Sequence, residues 1–189
     1  MWGLLMGLLV LGLAVFFAVH LLASFRVTRA ALIARYGEGI YKGVFSLLSF
    51  GGLGLIVWGM KVADVVIVWT PPAWGRHVAL WVMPIAFILL AGAFIPANLK
   101  RLTAHPMLWG ITLWAALHLL ANGDFASMLL FGTFLIYSLY AMWAQSHRGA
   151  SPSAAVRALG GDVSVVIAGL VVYALFLYAH TWLFGVAVI

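Results

Sequence analysis

The 189-residue sequence has no cysteine, which excludes a disulfide scaffold, thiol catalysis, cysteine-ligated zinc and iron–sulfur clusters. Charge is nearly as scarce, at 7% of residues, and only four residues are acidic. Those four, Glu38, Asp64, Asp124 and Asp162, all stand near the ends of apolar runs. They form no cluster for a di-iron or magnesium site and no relay of buried acids for a proton-driven transporter. There is no HExxH and no glycine-rich phosphate loop. What the chain has instead is apolar residues, 66% of the total, and a mean hydropathy of +1.17. A soluble domain is nearer half apolar and a quarter charged, and a chain this short cannot bury so much in one aqueous core. A soluble enzyme and a disordered chain are both excluded. The fold class expected is all-α, a polytopic membrane helical bundle. The net charge of +6 comes from ten Lys and Arg that sit mostly between apolar runs. That placement fits topology and lipid headgroups rather than nucleic acid.

A span needs about 20 apolar residues, and the sequence predicts about six transmembrane helices. The first runs from Met1 to about Ala23, is too long for a signal-peptide core and has no basic stretch before it, so it reads as a retained helix. The second is Val44 to about Met60, rich in glycine (Gly51, Gly52, Gly54, Gly59), which lets helix backbones approach closely in lipid. The third is His77 to Ala97, with a kink expected at Pro84. The fourth runs from Pro106, a residue suited to a first helical turn, to Ala121. A tight turn follows at Asn122-Gly123-Asp124, with Asp124 as a helix cap. The fifth is Phe125 to Ala144 and the sixth Val163 to about Val188. Between spans, residues 24–42, 61–75, 98–105 and 145–162 read as polar or mixed connections. The first, third and fifth connections hold eight basic residues against Lys61 and Arg76 in the second and fourth. The odd connections therefore face the cytoplasm and both termini lie outside. Trp2, Trp69, Trp74 and Trp182 then fall near the outer interface, where indoles collect.

Polar groups inside a membrane are costly and are functional candidates. Six histidines stand out. His147 reads as a solvated loop residue and His77, beside Arg76, as an interfacial anchor. His20, His105, His118 and His180 lie in or at the ends of spans, as ligands or as interhelical hydrogen-bond partners. His105 and His118, thirteen positions apart, point to different faces of one helix. His118 shares its face with Ile111, Trp114 and Asn122. Imidazole without thiolate or carboxylate suits haem, copper or zinc. In an apolar bundle haem fits best, because the protein supplies axial imidazole and a greasy pocket.

The run His105-Pro106-Met107-Leu108-Trp109-Gly110, then Trp114, then His118-Leu119-Leu120-Ala121-Asn122-Gly123-Asp124 closely resembles the NnrU family of bacterial membrane proteins. So do Arg35-Tyr36-Gly37-Glu38 with Tyr41, Gly43, Ser46 and Ser49, and His20 near the end of the first span. The resemblance covers nearly the whole chain and implies a single transmembrane domain over residues 1–189, in the bacterial inner membrane. The family takes its name from a link to nitrite and nitric oxide reduction. It is similar to the 15-cis-zeta-carotene isomerases, b-type haem proteins that shift a polyene double bond from cis to trans. By that resemblance His20 and His118 match the haem ligands, and the cofactor is haem b. Arg26, Arg35 and Arg101 are candidates for the propionates, because guanidinium pairs bidentately with carboxylate. Trp114 and Asn122 line the same face as His118. The isomerases carry a cysteine three positions before the second histidine, where this chain has Ala115.

Three ligation schemes remain open: His118 with His20, which differ in depth by roughly 10 Å; His118 with His180; and His118 alone. Three functions follow. The first is redox-gated isomerisation of a hydrophobic polyene or isoprenoid lipid. The second is an accessory or sensor protein for nitrogen-oxide respiration. The third is a small transporter or lipid-binding bundle without cofactor. All three take membrane lipid as a partner.

Overall fold

The computed structural model describes residues 2–188, with side chains from residue 6 onward, so the side chain of Trp2 lies outside the described residues. They form eight helices: α1 Trp2–Ser24, α2 Arg26–Tyr36, α3 Glu38–Val62, α4 Gly75–Ala91, α5 Leu99–Leu102, α6 Pro106–Ala121, α7 Phe125–His147 and α8 Leu159–Phe184. The one extended pairing among them is an isolated bridge between Ile67 and Asp124. Helices α1, α3, α7 and α8 are long and apolar enough to cross a membrane. Helices α4 and α6 are as apolar but have 17 and 16 residues. At 1.5 Å per residue each is about 25 Å long, short of a hydrocarbon core of about 30 Å. By length, then, four helices are long enough to span, where the hydropathy of the sequence counts about six.

The chain divides into two compact units, Met1–Val66 and Ile67–Ile189. In the first, α1 packs along α3. Leu9, Leu13 and Phe17 recur every fourth residue, share one face of α1 and are buried. Opposite them α3 presents Gly52, Ile56 and Gly59, also buried. A Cβ at Gly59 would stand 2.5 Å from the Leu9 backbone nitrogen, and one at Gly52 2.9 Å from that of Phe16. These two glycines let the backbones meet, whereas Gly51 and Gly54 face open space. The stretch expected as a loop over 24–42 is mostly helical. It breaks between α2 and α3 at Gly37, whose φ of 86° is open to glycine and strained for other residues. Helix α3 begins six residues before the expected Val44, and Glu38 and Lys42, one turn apart, form an ion pair of 2.8 Å on its exposed face.

In the second unit α8 packs on α4, α4 on α6, and α6 on α7. Met83, Ala86 and Leu117 form the core between α4 and α6. Pro106 opens α6 as expected, and the Asp124 carboxylate accepts the Ser127 amide at 2.8 Å to cap α7. Helix α4 ends at Ala91 rather than Ala97: Gly92 closes it and the chain turns through residues 93–95 toward Pro96, which disfavours helix in the residue before it. Helix α8 runs from Leu159 to Phe184, ending four residues before the expected Val188 at a left-handed Gly185.

Pro84 lies inside α4. It has no N–H for the carbonyl four residues earlier, that of Leu80. The Tyr173 hydroxyl of α8 donates to that carbonyl at 2.9 Å. A freed acceptor in an apolar bundle thus recruits a donor from the next helix. Tyr173→Phe is expected to cost about 1–3 kcal/mol, the penalty of an unsatisfied buried group. The same change in a Pro84→Ala background is expected to cost much less, because the restored amide at position 84 takes over the Leu80 carbonyl. Thermal unfolding of the four proteins of this cycle in detergent reads the difference; equal costs in both backgrounds would contradict the pairing.

Candidate functional site

His118 sits in the last turn of α6. Its Nδ1 is 2.8 Å from the carbonyl of Trp114, one turn earlier. A carbonyl only accepts, so Nδ1 carries the proton, and in the neutral ring Nε2 carries the lone pair. The ring is half-buried. Phe131 of α7 stacks on it, with centroids 4.3 Å apart and planes 23° from parallel. The Trp114 ring lies 5.1 Å away and meets Phe131 and Phe134 edge-on. Asn122 closes the helix, and its side-chain amide donates to the His118 carbonyl at 2.8 Å. Ala115, at the position where the isomerases have cysteine, is fully buried.

The first unit repeats the arrangement. His20 Nδ1 donates to the Phe16 carbonyl at 2.7 Å. The Phe16 ring stacks on the imidazole at 4.1 Å and 23°, and Phe45 of α3 lies 5.1 Å away. Phe45 also stacks on Tyr41. The Tyr41 and Ser49 hydroxyls of α3 are buried without a hydrogen-bond partner. Such orphans are few in native proteins.

The other histidines differ. His180 Nδ1 donates to the Val186 carbonyl at 2.8 Å. His105 is buried, and its Nε2 pairs with the Ser146 hydroxyl at 2.9 Å, joining the start of α6 to the end of α7. Its side chain makes no cap. His77 and His147 are exposed. The arginines expected at propionates are all exposed. Arg35 lies over the Tyr36 ring at 5.2 Å, and Arg101 lines a groove beside α5.

Among the described residues, no three His, Asp or Glu side chains gather into a metal-holding group. A porphyrin asks less, since it brings four nitrogens of its own and needs one or two axial imidazoles. The donor chemistry at His118 and His20 fits that demand: Nδ1–H fixed on a carbonyl, lone pair on Nε2, flat apolar rings alongside.

Sequence reasoning did not single out Phe16, Phe45, Phe131 or Phe134. One signal was available, an aromatic residue four positions before a histidine: Phe16 before His20, Trp114 before His118, Phe176 before His180 and Trp143 before His147.

The family model described as NnrU protein matches residues 8–188, nearly the whole chain. No curated protein matches the chain, and no solved structure does.

Proposed function

The chain belongs to the NnrU family, and from that premise we propose that it is a haem b protein of the bacterial inner membrane with His118 as an axial ligand. Helices α4 and α6, lengthened by the turns at their ends, cross the bilayer with the four long ones, and both termini face the periplasm. The observation that carries the proposal is the hydrogen bond from His118 Nδ1 to the Trp114 carbonyl. It fixes the ring's tautomer and rotation before any ligand arrives, as second-shell acceptors do for metal-bound histidines. His20 has the same bond to Phe16, and the family resemblance makes it the candidate for the second imidazole.

Bound haem would supply one-electron redox chemistry at its iron. The protein's part is to hold, orient and keep dry. Phe131 and Trp114 exclude water from the His118 ring, and the Tyr41 and Ser49 hydroxyls offer unspent hydrogen bonds to a polar group. The substrate that suits so apolar a protein is a polyene or isoprenoid lipid, with cis–trans isomerisation as the reaction. A second reading has one observation in its favour. Ala115 provides no thiol where the isomerases have cysteine, which fits an accessory or sensor role in nitrogen-oxide respiration.

Electron paramagnetic resonance of the oxidised protein tests the ligation. Wild type is expected to be low-spin and His20→Ala high-spin, with His180→Ala unchanged. A high-spin His180→Ala and an unchanged His20→Ala would move the second ligand to His180.

A further inference from the structure

Helix α8 pairs with α4, at the far side of the unit from α7, so the connection between α7 and α8 has to travel back across the bundle end. It is fastened there by Asn98. The Asn98 backbone amide donates to Asp162 Oδ1 at 2.7 Å, and its side-chain nitrogen donates to Asp162 Oδ2 at 2.6 Å and to the Arg157 carbonyl at 2.8 Å. Its side-chain oxygen accepts the Arg157 amide at 2.9 Å. The Ser153 amide donates to the Lys100 carbonyl at 2.8 Å. Beside this clasp opens a groove of about 720 Å³. Its lining is largely apolar, with Ile88, Leu102, Val165 and Val166, and includes Arg101 and Asp162.

The groove lining carries one charge of each sign: Asp162 is held by hydrogen bonds from the neutral Asn98, and Arg101 makes no ion pair among the described residues. Lys100, Arg148 and Arg157 lie on the same two connections, and Asp162, in the first turn of α8, is the one acid beside them in the sequence. Lys100 is turned back on the Ala93 carbonyl at 3.1 Å, which leaves the Arg101 guanidinium at the groove. A bundle end with four basic residues against one acid, beside a largely apolar groove, suits an amphiphile with a phosphate head.

We propose that this groove is a binding site for an anionic phospholipid, with Arg101 on the phosphate and an acyl chain along Ile88, Leu102 and Val166. The clasp holds the mouth at fixed width. An anionic headgroup is favoured over a zwitterionic one by about fivefold, the weight of one arginine at an anionic surface. No histidine is among the residues that line it.

Native mass spectrometry of the full chain in mild detergent tests this, titrating phosphatidylglycerol against phosphatidylcholine of equal chain length. Wild type is expected to retain phosphatidylglycerol about fivefold better. Arg101→Gln, an exposed position, is expected to abolish the preference. Val166→Trp, which fills the apolar wall and keeps the charge, is expected to lose the bound lipid. Inorganic phosphate at millimolar concentration is expected not to displace it. Equal retention of the two lipids, an undiminished preference in Arg101→Gln, or displacement by inorganic phosphate would overturn the proposal, the last assigning the site to a free anion.

Discussion

His118→Ala is expected to yield a folded protein that has lost its haem. An outer hydrogen-bond partner of a metal ligand is worth roughly 10–100-fold in affinity, and removing the ligand itself exceeds that. The imidazole packs against Phe131 and Trp114, so its removal also leaves an apolar gap against two rings. Packing alone would lower stability, and the measurement must separate the two effects. His105→Ala provides the comparison. That ring is more deeply buried and loses the 2.9 Å bond to Ser146, so its structural cost is at least as great. The expected result is full haem occupancy in His105→Ala and none in His118→Ala, with similar losses in melting temperature. Equal occupancy in the two variants would remove His118 from the site.

Gly59→Leu is expected to be among the most damaging single changes in the first unit. The Cβ it adds would meet backbone atoms of Leu9, at 2.5 Å from the nitrogen and 2.7 Å from Cα. Backbone in the middle of a helix cannot swing aside as the end of a side chain can, and Leu9 is fully buried. The two helices must separate along their seam. Overpacking of a filled core costs about 1–3 kcal/mol, and a collision with backbone lies at or above the upper end. Gly51→Leu and Gly54→Leu place the same side chain in open space and are expected to leave stability nearly unchanged. Thermal unfolding followed by tryptophan fluorescence distinguishes the three. Similar losses in all of them would mean that glycine in α3 acts through helix propensity rather than through contact.

The glycines show where the sequence is legible and where it stops. That α3 is glycine-rich predicts a close helix contact; which glycines make it depends on the partner, and only Gly52 and Gly59 face α1. Local chemistry was readable in full: Pro106 in the first turn of α6 and Asp124 at the cap of α7 follow from the backbone groups at a helix end. Hydropathy misplaced the start of α3, because Glu38 and Lys42 look like loop residues until they pair along an exposed helix. It also extended α4 past Gly92, since apolar residues continue to Ala97 whether or not the backbone turns. At the candidate site, His118 and Trp114 were visible from helical spacing alone. Phe131 was not, because it reaches His118 from another helix and no spacing along the chain encodes that packing. The link from Pro84 to Tyr173 is of the same kind: a missing N–H is evident in the sequence, but the donor that replaces it lies 93 residues beyond the Leu80 carbonyl it serves.

The most direct test of a haem protein with His118 at its centre is the absorption spectrum of the detergent-purified chain, oxidised and then reduced. The account predicts a Soret band, with sharp α and β bands on reduction. A spectrum without a Soret band, from protein expressed with haem supplied, would contradict it and leave His118 and His20 as structural residues of an apolar bundle.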